Sequence, residues 1–124
     1  MVLVPLAASS APAVRRQLAG DLHAAGVPST QCDDACLVLA ELVGNAIRHG
    51  APLDGGCLDV DWIVHEGVVE VRVTDGGGGV PRQRNTTSGA ESGRGLAIVD
   101  AVAASWGVAR PRAGGTTVWA CVSR

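Results

Sequence analysis

The stretch Glu41-Leu42-Val43-Gly44-Asn45-Ala46-Ile47-Arg48-His49 decides how the rest of the chain is read. Cys32, Cys36, Leu39, Val43 and Ile47 recur at the spacing of one helix face. The spacing predicts a helix from Ser29 or Thr30 to Gly50. Thr30-x-x-Asp33 has capping-box form, Gly50 suits a C-terminal cap, and Pro52 lies just beyond. Glu41, Asn45, Arg48 and His49 stand at i, i+4, i+7 and i+8, so they share a second, polar face.

That face carries usable chemistry. Asn45 offers a neutral oxygen, and Mg²⁺ takes only one or two protein oxygens when waters and substrate phosphates supply the rest. Glu41, one turn away, is placed either to orient a water on the metal or to accept a proton from an attacking hydroxyl. Read alone, the same pattern also describes a solvated helix face.

Upstream, Val14, Leu18, Leu22 and Ala25 predict a first helix over 12–26, ended by Gly26 and Pro28. The apolar residues before it read as an edge strand stopped at Pro5. Downstream, Leu58, Val60, Trp62 and Val64 alternate with Asp59 and Asp61. Val69, Val71 and Val73 alternate again, and His65-Glu66-Gly67 joins the two runs as a hairpin. A Gly-rich loop over 75–93 follows, then a helix near 95–105 with Leu96, Val99 and Val102 inward. A strand near 106–110, a turn at 112–115 and a strand over 116–122 close the chain. The expected fold is α+β: a two-layer sandwich with a mixed, mostly antiparallel sheet covered on one face by about three helices. Residues 1–124 are expected to form a single domain, with no linker and no internal repeat.

Two glycine motifs flank the loop. Asp75-Gly76-Gly77-Gly78-Gly79-Val80-Pro81 follows a strand directly. A carboxylate there can accept the exocyclic amine of adenine, and glycines let the backbone approach the base. The alternative is a plain turn after a hairpin. Gly93-Arg94-Gly95-Leu96 is expected to open the third helix, exposing amides toward phosphate. A bland loop-to-helix turn has the same form. Between the motifs, residues 80–92 are expected to form a lid that orders around the γ-phosphate, with Arg82 and Arg84 as phosphate candidates beside Arg94.

Composition narrows the choices. All ten basic residues are Arg, which excludes phosphate sites built on Lys, the P-loop included. The net charge of −2 and the lack of a basic stripe argue against direct nucleic-acid binding. Cys32, Cys36, Cys57 and Cys121 lack metal-site spacing and read as reduced thiols, which fits a cytoplasmic protein. No apolar run is long enough to span a bilayer.

Taken in order, these motifs resemble the Bergerat-fold ATPases. Asn45 matches their N-box, Asp75-x-Gly77-x-Gly79 the first glycine box, and Gly93-x-Gly95-Leu96 the second. Gly115-Thr116-Thr117-Val118 matches the late strand motif, in which Thr116 approaches the adenine. The match runs from about residue 10 to 122. Glu41-Leu-Val-x-Asn45-Ala-x-x-His49-Gly50 and Gly-Arg-Gly-Leu-Ala-Ile-Val-Asp at 93–100 look especially like the stand-alone anti-sigma factor serine/threonine kinases. That resemblance implies ATP and Mg²⁺ as cofactors, with Asn45 on the metal and Glu41 as the base. Arg48, His49, Asp75, Gly77, Gly79, Gly93, Arg94, Gly95, Leu96 and Thr116 are implied around the nucleotide. It further implies an anti-anti-sigma protein as phosphoacceptor, a sigma factor as a second partner, and a homodimer. A non-catalytic, nucleotide-responsive module that sequesters a regulatory partner is the competing expectation. Gly44 departs from the family pattern, where a larger residue is common.

Overall fold

The computed structural model describes residues 2–53, 55–77, 90–110 and 114–124, and only the backbone of 90–95. The order is β1 (Val2–Pro5), α1 (Ser10–Ala24), α2 (Ser29–His49), β2 (Cys57–His65), β3 (Val68–Asp75), α3 (Ala90–Val102), β4 (Ser105–Ala109) and β5 (Thr116–Ser123). One five-stranded sheet has the order β1-β2-β3-β5-β4. This is the expected α+β sandwich, with one correction. All four pairings are antiparallel, so the sheet is not mixed. The crossover through α3 does leave β3 and β4 parallel, but β5 turns back and inserts between them.

Strand alternation decides what is buried. Leu58 and Val60 of β2, Val69, Val71 and Val73 of β3, and Ala120 and Val122 of β5 face the helices and are buried. Against them pack Val14, Leu18 and Leu22 of α1, Val38, Leu39, Leu42 and Val43 of α2, and Val99 of α3. Aliphatic side chains therefore fill the centre of a core that has no Phe or Tyr available. Trp62 and Trp106 sit at its margin, where each indole N–H finds a carboxylate: Asp21 at 2.9 Å and Asp100 at 3.0 Å. The opposite sheet face stays polar. Asp59, Asp61, Glu70, Arg72, Thr74, Thr117 and Trp119 line a concavity there of about 500 Å³.

Helix ends differ in detail from the sequence expectation. Helix α1 starts at Ser10, so Pro12 falls in the first turn, where its missing N–H costs nothing. The helix closes through the left-handed Gly26 (φ 78°), with Val27 N–H bonded to Leu22 O and Gly26 N–H to His23 O. Ala25 is the exposed C-cap of α1 and does not join its buried stripe. Helix α2 begins at Ser29, which carries Thr30 inside the helix, and no side-chain cap bond forms. The capping box is therefore absent. Buried Gln31 instead donates to the carbonyls of Gly67 and Val122, both at 2.9 Å, and ties this end of α2 to the β2–β3 turn and β5. Helix α3 starts at Ala90, five residues before the expected position, because Ala90-Glu91-Ser92 continues the helix despite the nearby glycines.

Candidate functional site

The site is built where α2 ends. Gly50 leaves the helix in an extended conformation (φ −90°, ψ −175°), not in the left-handed form expected of a glycine cap. Its lack of a side chain serves space instead: a Cβ there would run into the Asp75 carboxylate. One residue on, the Ala51 carbonyl accepts the Gly76 N–H at 2.6 Å. The end of the polar helix and the Asp-Gly-Gly turn are thus bonded to each other, although 25 positions separate them.

Asp75 ends β3 with its side chain on the helix-facing side, in register with Thr116 of β5. Thr117, the next residue, points to the opposite face and pairs its hydroxyl with Thr74 at 2.7 Å. Strand alternation therefore selects Thr116, not Thr117, to share the Asp75 site. The Asp75 carboxylate accepts the Gly77 N–H at 2.6 Å. Burial pushes its pKa above the ordinary carboxylate value, and the Gly77 N–H pulls weakly the other way. A carboxylate so placed is short of donors and keeps acceptor capacity.

Glycine 77 is left-handed (φ 71°), and a side chain on it would strike the backbone of Gly115. Gly115 is left-handed too (φ 91°), and its own missing Cβ makes room for the Asp75 carbonyl. Two glycine turns therefore touch backbone to backbone beneath Asp75. Sequence reading assigned Gly115 only to a motif and missed Gly50 and Ala51 as parts of the site. The paired glycines at 114 and 115 were the available signal for close backbone approach.

On α2, Glu41 and Asn45 are half-buried, while Arg48 and His49 are exposed. Arg48 Nη2 donates to Asn45 Oδ1 at 3.5 Å. Among the described residues, no group of three or more His, Cys, Asp or Glu side chains is arranged to hold a metal ion. A cation here would draw most of its ligands from water and phosphate, with a single neutral oxygen from Asn45. That donor set fits Mg²⁺, which keeps several waters and is held largely through substrate phosphates.

The second glycine motif is placed differently from expectation. With α3 starting at Ala90, the described N–H groups free of helix bonding are those of residues 90–92. Gly93 is the fourth residue of the helix, where the amide enters the helix bonding, Gly95 lies further inside it, and Leu96 is half-buried. The side chain of Arg94 is outside what is described. So are residues 78–89, and with them Gly79, Arg82, Arg84 and most of the expected lid. All four cysteines are free thiols. No helix among the described residues is long and apolar enough to cross a membrane.

An antiparallel sheet backed by three helices, with a desolvated carboxylate at a strand end and α2 docked on it, defines an open-faced α+β sandwich with a candidate site at the end of α2. The model of the histidine kinase-like ATPase domain family matches residues 4–122. The chain belongs to that family, and membership implies that it binds ATP. Comparison with curated proteins finds no match.

Proposed function

We propose that this protein is an ATP- and Mg²⁺-dependent serine/threonine kinase of the anti-sigma type, acting on an anti-anti-sigma partner. The observation that carries the reading is the junction of α2 with the Asp75 turn. The Gly76 N–H to Ala51 O bond joins the helix that carries Glu41 and Asn45 to the turn that carries Asp75.

Asp75 accepts the exocyclic amine of adenine, and Thr116 stands beside it on the same sheet face. Asn45 supplies the protein's one oxygen to the metal, Arg48 and His49 serve the phosphates, and Gly77 serves the base; the resemblance assigns Arg94 to the phosphates and Gly79 to the base. The free amides at the start of α3, just ahead of Gly93, Gly95 and Leu96, add donors. Mg²⁺ bound with the nucleotide neutralises charge on the phosphate oxygens. Glu41 takes the proton of the partner's Ser or Thr hydroxyl. The hydroxyl oxygen bonds to the γ-phosphorus, the bond to the β–γ bridging oxygen breaks, and ADP leaves with that electron pair. A sigma factor as second partner and a homodimeric assembly belong to the same reading, by resemblance to the anti-sigma kinases.

The test separates binding from transfer on one helix. Asn45→Ala should lower both metal-dependent ATP affinity and phosphotransfer. Glu41→Ala should leave ATP affinity in place and lower transfer by about 10²–10⁴-fold. Calorimetry reads the first quantity, and labelled-phosphate transfer to anti-anti-sigma proteins encoded nearby reads the second. Wild-type transfer by Glu41→Ala removes the base assignment. Tight ATP binding with no transfer to any such partner makes the non-catalytic module the better reading.

A further inference from the structure

We propose that Arg48 guards Asn45 in the nucleotide-free protein, so that a guanidinium and a divalent cation compete for one amide oxygen. The inference rests on the reading that Asn45 meets the metal of a bound nucleotide. Arg48 lies one turn after Asn45 and reaches back to its Oδ1 at 3.5 Å. Gly44 leaves room for that reach. A Cβ at that position would stand 3.2 Å from Arg48 Nη1, tighter than ordinary contact. The missing side chain thus lets the guanidinium lie back along the helix. Among the described residues no carboxylate pairs with Arg48. Its side-chain partner there is the Asn45 oxygen.

That oxygen cannot serve both cations well. Mg²⁺ binds oxygen at about 2.0–2.1 Å. With the guanidinium still in place, the two positive charges would stand less than about 6 Å apart. Arg48 is exposed and long, so it swings away as the metal arrives, and its charge becomes available to the phosphates. In the absence of metal the guanidinium is already at the site and offers the phosphates a cation. Arg48 therefore weakens the dependence of nucleotide binding on Mg²⁺, and the bare Gly44 gives its guanidinium room.

The experiment measures ADP affinity in saturating Mg²⁺ and in EDTA, and takes the ratio. The ratio should rise about two- to five-fold in Gly44→Thr, which crowds the guanidinium off Asn45 but keeps its charge, an effect of the size expected for an exposed contact. It should rise in Arg48→Met as well, a change at an exposed position that leaves the fold intact. In the free protein, the Asn45 side-chain amide resonances should shift in Arg48→Met. The change in Gly44→Thr separates competition at Asn45 from simple phosphate binding by Arg48. An unchanged ratio in Gly44→Thr, or unmoved Asn45 amide resonances in Arg48→Met, overturns the proposal and leaves the nucleotide reading standing. If both wild type and Asn45→Ala bind ADP equally with and without Mg²⁺, the metal role of Asn45 falls and this proposal falls with it.

Discussion

At the scale of single residues, Asp75, the carboxylate proposed to meet the base, is held at a cost to the fold. Its carboxylate is partly desolvated and lies against Gly50, and it accepts the Gly77 N–H. Burial raises its folded-state pKa above the ordinary 3.8. A raised acid pKa means that folding disfavours the ionised form, so stability is lost as pH climbs from about 3.8 through the folded-state value. Asp75→Asn keeps the acceptor for Gly77 and removes the charge. The free Asn variant should therefore melt higher than wild type at pH 7, and the gain should vanish below pH 3.8. Thermal unfolding across that range checks the sign. The same variant should bind adenine nucleotides more weakly, by roughly 1–3 kcal/mol, and guanine nucleotides about as before. Equal losses for ATP and GTP would remove Asp75 from base recognition.

At the scale of elements, the site depends on backbone approach between turns that are remote in sequence. Gly115 opens β5 in a left-handed conformation with the Asp75 carbonyl where its Cβ would be. Gly115→Ala meets both strain and a backbone contact that cannot swing aside. It should destabilise the protein by about 1–3 kcal/mol, read from urea unfolding, and should weaken ATP through displacement of Asp75. Unaltered stability would show that the β4–β5 turn can relax away from β3. Helix α3 illustrates the converse case. Its glycines suggested a helix start at Gly93, but local helix formers at 90–92 carried the start upstream. The described amides left free at its start are then those of 90–92, and Gly93 and Gly95 lie inside the helix.

At the scale of the whole molecule, one layer of helices covers one face of the sheet, and α2 is the central member that touches α1, α3, β3 and β5. Leu39 sits fully buried at that crossing. Leu39→Ala should cost about 2–5 kcal/mol, a large share of a typical domain's stability, with the urea m-value unchanged. A loss below 1 kcal/mol would mean that the aliphatic core collapses readily around the gap. What the sequence determined by itself was whatever depends on local period and residue chemistry. Strand alternation identified Val69, Val71 and Val73 as inward, helical spacing put Glu41 and Asn45 on one face, and the order of motifs pointed to the family. Only the tertiary structure decided the rest, because contacts between distant segments leave no local period. Insertion of β5 made every strand pairing antiparallel. The docking of Gly50 on Asp75, and of Gly115 beneath it, turned separate turns into one site. The register of Asp75 with Thr116 placed that threonine on the same side of the sheet as the carboxylate, where two strands of correct alternation but shifted pairing would have separated them.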